Sequence, residues 1–177
     1  MLRRWGLIPS WAKDASIGAK LINARAETIT EKPSFRAAFK WSRIVVPVSG
    51  FYEWAAIGGH RRAYCIKPAD DGLWMFAGLA ETWTKGLDGP VESCTIITTA
   101  ANRAMEELHH RMPVILAPGG QRWLEPETPA ADLVALLRPC PNEWLETYEV
   151  GAAVGNVKND GPELIKPVRI DWRTKGE

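Results

Sequence analysis

Four groups of side chains in this sequence could do chemistry. Glu53 stands in Phe51-Tyr52-Glu53-Trp54, a carboxylate set among aromatics. An unpaired charge is costly to bury. Glu53 therefore either faces solvent on an alternating strand or sits in a pocket whose desolvation pushes it towards its neutral form. The window alone leaves both open. His109 and His110 stand just before Arg111-Met112-Pro113. Histidine is the usual general acid–base near neutrality, and neighbouring side chains on a strand point to opposite faces, so at most one of the two should face a shared site. Asn23 and Arg25 alternate with Ile22, Ala24 and Ala26, with Glu27 continuing the polar face. Their donors suit phosphate oxygens, and a solvated strand face is the plain alternative. Thr98, Asn156 and Asn159 add small polar groups, whereas His60, beside Arg61 and Arg62 at a hairpin tip, reads as a surface residue.

The whole chain narrows what these groups can serve. Its 177 residues suit one domain with a proper core. A net charge of +1 supplies no bulk basic field, so any nucleic-acid site must be a local patch. Cys65, Cys94 and Cys140 match no metal spacing, and no cofactor is called for. An odd, unpatterned set of cysteines suggests reduced thiols in the cytoplasm. No apolar run approaches membrane-spanning length, and the first residues do not read as a signal peptide. Most of the nine tryptophans are expected in the core, although an indole face also suits stacking on a base.

Positioning the reactive groups falls to many short strands. Residues 4–8 are strand-like, and Gly18 keeps residues 13–20 from forming a long helix. Residues 21–27 have strand periodicity. Residues 30–40 read as a helix capped by Thr30, with Pro33 in its first turn and Phe35, Ala38 and Phe39 as its stripe. Ile44-Val45-Val46 reads as a strand buried on both faces and broken at Pro47, which has no N–H to donate. Gly58-Gly59 closes a hairpin whose return strand is residues 62–66. Strands are also expected at residues 74–80, 92–99, 114–116 and 142–150, and short helices at 100–108, 121–124 and 130–137. Residues 151–159 form an irregular loop, 164–168 a last extended piece and 173–177 a polar tail. The class is α+β, mainly β: one domain over residues 1–177, with a curved, barrel-like antiparallel or mixed sheet and peripheral helices.

In order, the blocks RWGLIPSW, INARAET, SGFYEW, FAGLAETW, CTIITTAAN, LHHRMPVIL and VGNVKNDGPELI resemble the SOS response-associated peptidase (SRAP) family from Trp5 to about Val168. The resemblance implies a barrel-like domain with a positively charged groove, acting in the DNA damage response as a monomer in the cytoplasm and on the nucleoid. Its implied partner is single-stranded DNA carrying an abasic site. Asn23 and Arg25 would engage the DNA backbone near the lesion, and Thr98 would contact DNA as well. Glu53 would be the active-site glutamate, and His109 the active-site histidine with Arg111 as its phosphate-binding neighbour. The family's nucleophile is a cysteine exposed by removal of the initiator methionine from an M-C-G-R opening. Its α-amine condenses with the sugar aldehyde and its thiol closes a thiazolidine. Here residue 2 is Leu2, and the chain opens at what resembles the W-G-L-I-P block. The 177 residues are thus expected to lack that opening, and Cys65, Cys94 and Cys140 are internal, with no α-amine beside their thiols. Two readings follow: a protein that crosslinks to abasic sites when that cysteine is present, or a non-catalytic single-strand-binding remnant.

Overall fold

Ten residues, Val91–Ala100, form the strand on which the largest sheet assembles, in a computed structural model that describes residues 2–118 and 120–168. In chain order the elements are β1 (Arg4–Trp5), β2 (Asn23–Arg25), α1 (Arg36–Trp41), β3 (Arg43–Val48), β4 (Phe51–Ile57), β5 (His60–Pro68), β6 (Trp74–Trp83), β7 (Val91–Ala100), α2 (Arg103–Glu106), β8 (Arg111–Pro113), α3 (Ala130–Leu136) and β9 (Leu145–Val150). β7 carries the short parallel strands β1 and β2 along one side, and antiparallel β6 and β8 along the other. β3 adds to β6 as the outer strand. A second, antiparallel sheet runs in the order β4-β5-β9. The mainly β, barrel-like class holds, with mixed pairing, few helices and the strands divided into two hydrogen-bonded groups.

The chain passes from one sheet to the other at Ser49-Gly50. A Cβ on Gly50 would lie 2.7 Å from the Ile66 carbonyl oxygen, so only glycine lets β4 start this close to β5. The β4–β5 hairpin turns on Gly58 and Gly59, at φ 60° and 79°, the double left-handed turn that matches strand twist.

One core cluster gathers Leu7, Ile29, Phe39, Leu79, Ile97 and Trp123, a second gathers Ile66, Trp74, Phe76, Met105 and Met112, and two smaller ones centre on Ile8 with Trp83 and on Ala63 with Val150. Trp123 is fully buried and donates its indole N–H to the Ile44 carbonyl at 2.9 Å. Burying each such side chain contributes roughly 1.5–3 kcal/mol. Among the described tryptophans Trp74, Trp83 and Trp123 are buried, Trp54 and Trp144 half-buried, and Trp5, Trp11 and Trp41 exposed, so fewer of them sit in the core than expected.

Several boundaries differ from the sequence pattern for identifiable reasons. β1 stops at Trp5 because Gly6 turns at φ 114°, sending Leu7 and Ile8 fully into the core. The helix expected over residues 30–40 is only α1, since the residue before Pro33 is disfavoured in helical backbone; a series of turns precedes it. Pro47 does not break its strand but pairs with Met75, because an outer strand tolerates a missing donor. That strand is half-buried rather than sealed on both faces. The strand expected at residues 114–116 is displaced to β8, after which Ile115 makes a single bridge to Phe76. Residues 164–168 begin in a 3-10 turn, Pro162–Ile165, and only Pro167 bridges to Val150. The expected polar tail at 173–177 lies outside the described residues.

Candidate functional site

Asn23, Arg25, Glu53, Thr98, His109 and Arg111 all line one cavity of about 670 Å³, together with Trp5, Val46, Val48, Phe51, Tyr52, Phe76 and His110. Strand alternation explains how those on strands arrive. In β2, Ala24 is fully buried, which turns Asn23 and Arg25 outward on the opposite face. The parallel register sets Arg25 against Thr98 of β7, and Thr98 pairs on its other side with Pro113 of β8. In β4, Phe51 packs on Trp74 and Phe76, with ring centroids 6.3 and 5.8 Å away, so Glu53 on the same face also looks towards the larger sheet. Trp54 packs with Ala63, Cys65 and Val150 instead.

His109 lies beyond α2, outside any strand. Its Nδ1 stands 3.9 Å from a Glu53 carboxylate oxygen, beyond direct hydrogen-bond distance. The same nitrogen lies 3.2 Å from the Arg111 amide, which donates to it when Nδ1 is unprotonated. It also lies 3.0 Å from the Arg111 carbonyl oxygen, which accepts from it when Nδ1 carries a proton. One backbone residue thus accommodates both protonation states of the ring, the property an acid–base group needs. His110 does not point elsewhere: it lines the same cavity, its ring centroid 4.4 Å from that of His109. Strand alternation does not apply, because the two residues precede β8.

Arg111 is already engaged. Its guanidinium donates to both Glu27 carboxylate oxygens, at 2.9 and 3.0 Å, and to the Thr98 carbonyl at 2.6 Å. It also reaches the Thr98 hydroxyl at 3.2 and 3.3 Å. These bonds hold the Glu27 carboxyl below its ordinary range, against the opposing effect of partial burial. Glu27 follows β2 in a 3-10 turn, Ala26–Thr28, rather than continuing the strand. Arg25 and Arg111 are set against Glu27 and Glu53, so the formal charges of these four groups balance.

Asn156 and Asn159 stay outside the cavity. The Asn156 side-chain oxygen accepts from the Lys158 amide at 3.0 Å, and the Asn159 side chain donates to the Ala153 carbonyl at 2.8 Å, so both hold their own exposed loop. His60 is exposed at the hairpin. Two features at or beside the cavity went unassigned in the sequence. Trp5 is 60% exposed, with its indole N–H fixed to the Ile22 carbonyl at 2.8 Å. The Glu27–Arg111 pair joins residues far apart in the chain, for which local pattern gives no signal. Cys65 and Cys140 are buried and Cys94 half-buried, and none lines the cavity. Burial pushes the Cys94 thiol up and the Cys140 thiol up to about 11. Among the described residues no group of histidine, cysteine or carboxylate side chains is placed to hold a metal, and no helix is long and apolar enough to cross a membrane.

Comparison with known proteins agrees in sequence and in fold. A family model described as SOS response associated peptidase (SRAP) matches residues 1–157. The chain is similar to abasic site processing protein YoqW of Bacillus subtilis, 46% identical over 166 residues, covering 92% of this chain and 74% of that protein. It is similar to abasic site processing protein HMCES of Gallus gallus at 33% identity, covering 94% of this chain and 57% of that one. A crystal structure of a protein from Bacteroides thetaiotaomicron superposes with a TM-score of 0.86 at 33% identity, covering 93% of this chain and 75% of that chain.

Proposed function

Because the chain belongs to the SOS response associated peptidase (SRAP) family, we propose that it processes abasic sites in DNA, taking a single strand into the cavity lined by Glu53 and His109. The observation that carries this reading is the arrival of Asn23, Arg25, Thr98, Glu53 and His109 at one cavity from separate segments of the chain. Cations and amides at its edge suit a phosphodiester backbone. The exposed, anchored indole of Trp5 offers a face for a base beside the lesion. The apolar walls formed by Val46, Val48 and Phe76 reduce water around the reacting sugar.

Opening an abasic sugar gives an aldehyde, and in this reading His109 donates a proton to the ring oxygen as it opens. A primary amine adding to that aldehyde forms a carbinolamine. Glu53 takes the proton the nitrogen sheds and returns it to the departing hydroxyl, which leaves as water and gives an imine. A thiol on the same residue then forms the carbon–sulfur bond, its proton passing to nitrogen, and a thiazolidine results. The nucleophile in this scheme carries α-amine and thiol together. Cys65, Cys94 and Cys140 are internal and lie off the cavity, so the role is not theirs.

The test is binding of a labelled single strand carrying a stable abasic analogue, followed by fluorescence anisotropy across a salt series. Arg25→Ala should weaken binding and flatten the log–log salt slope by about one unit, the signature of one lost phosphate contact. Unchanged affinity and slope would mean that the strand lies elsewhere.

A further inference from the structure

We infer that Glu27 is a built-in stand-in for a DNA phosphate: it occupies the Arg111 guanidinium in the free protein and is displaced when a strand enters. The inference rests on the strand-binding reading of the cavity above. A carboxylate held by two parallel N–H bonds uses the same fork of donors that a phosphate uses. Glu27 takes that fork on Arg111 at 2.9 and 3.0 Å.

The two partners differ in freedom. The Arg111 side chain is only 16% exposed, tied to the Thr98 carbonyl and hydroxyl, and its backbone pairs with Ala100 in the sheet. Glu27 is 51% exposed on a short 3-10 turn, so it can swing into water without leaving a buried carboxylate behind. The fixed member is the cation and the movable member is the acid. Such a half-exposed pair is weak enough for a phosphodiester to replace.

Charge gives a second reason. Arg25 and Arg111 face Glu27 and Glu53 at this cavity, so departure of Glu27 from the guanidinium is what would make the site locally cationic. Selectivity would follow. A ligand must bring an oxyanion able to take the vacated fork, which a phosphodiester does and a neutral chain does not. Displacement also alters the ion count: the phosphate sheds its counterion on meeting Arg111, while the freed Glu27 carboxylate takes up a cation. In the parent protein the Arg111 contact therefore adds almost nothing to the salt dependence.

The test measures a labelled oligothymidylate by anisotropy over a salt series with the parent chain and with Glu27→Gln, Arg111→Gln and the double variant. Glu27→Gln should bind roughly threefold to fivefold more tightly at fixed salt, and its log–log slope should steepen by about one unit. In the Arg111→Gln background the same change should do nothing. Equal or weaker binding by Glu27→Gln overturns the inference, and so does an equal gain in both backgrounds, which would be a general field effect. A second measurement needs no variant: the side-chain Nε–H resonance of Arg111 should shift as the parent chain is saturated with oligothymidylate, and an unchanged resonance also overturns it. Arg25→Ala separates the two levels. If it too leaves binding untouched, the groove itself is misplaced; if it weakens binding while Glu27→Gln does not strengthen it, only the phosphate stand-in is wrong.

Discussion

Two cavities of nearly equal size, about 670 and 640 Å³, lie against the same pair of strands. Val46, Val48 and Phe76 line the first, while Val45 and Met75, their neighbours in β3 and β6, line the second. Strand alternation therefore builds both from one ladder. What differs is the company each keeps. The first receives polar side chains from β2, β4, β7 and the turn before β8. The second is walled by Leu73, Leu116, Leu124 and Trp144, and one of its acids, Asp70, spends an oxygen on the Gly72 amide at 3.0 Å. Volume does not distinguish a reactive site from a fold in the surface; convergence of polar groups on apolar walls does.

The sharpest way to break that comparison is to neutralise carboxylates on each side. Free cysteine carries an α-amine and a thiol together, and it can serve as a soluble nucleophile towards single-stranded DNA with an abasic site. The chain should accelerate thiazolidine formation on the sugar, and Glu53→Gln should lower that acceleration on the order of a hundredfold, followed by mass spectrometry of the oligonucleotide. Asp70→Asn and Glu143→Gln, both in the second cavity, should leave the rate alone. Equal losses from the two cavities would erase the distinction.

A smaller effect separates architecture from chemistry. Arg43 donates to four backbone carbonyls, those of Trp123 at 2.7 Å, Phe39 and Lys40 at 2.9 Å, and Glu125 at 2.8 Å. It thereby locks α1 and the Trp123 turn to β3, behind the second cavity. Arg43→Ala should cost about 2–4 kcal/mol in urea unfolding, since several carbonyls lose a charged donor at once. The folded fraction should still bind single-stranded DNA with the parent affinity. A loss of affinity at full folding would mean that the second face contributes to binding.

How much of this was legible in the sequence follows from the range of each interaction. Alternation within residues 21–27 placed Asn23 and Arg25 on one face, and the carboxylate among aromatics marked Glu53, because both signals are local. Turn chemistry at Gly58-Gly59 was equally plain. The division of the strands at Gly50 was not, since it depends on the close approach of Ile66. Nor was the engagement of Arg111: nothing near it in sequence announces Glu27, 84 residues away. His110 was misplaced because the alternation rule was applied to residues that lie just outside a strand.

The Glu27–Arg111 pair supplies the smallest predicted effect and the most specific one. The folded state lowers the Glu27 pKa from its ordinary 4.5, chiefly through the Arg111 hydrogen bonds, with Arg25 adding a weaker pull. A depressed carboxylate pKa contributes stability that is fully present above the unfolded value and is lost as pH falls through the folded one. The parent should therefore exceed Glu27→Gln in stability near neutrality. Because Glu27 is half-exposed the difference should be under about 1 kcal/mol, and it should shrink as the pH is taken below the ordinary glutamate range. Urea midpoints for the two proteins, read at neutral pH and again in acid, test this. A difference that stayed constant, or grew as the pH fell, would show that the carboxylate is not held by the guanidinium, and with it would go the reason for treating Glu27 as the occupant that a phosphate must displace.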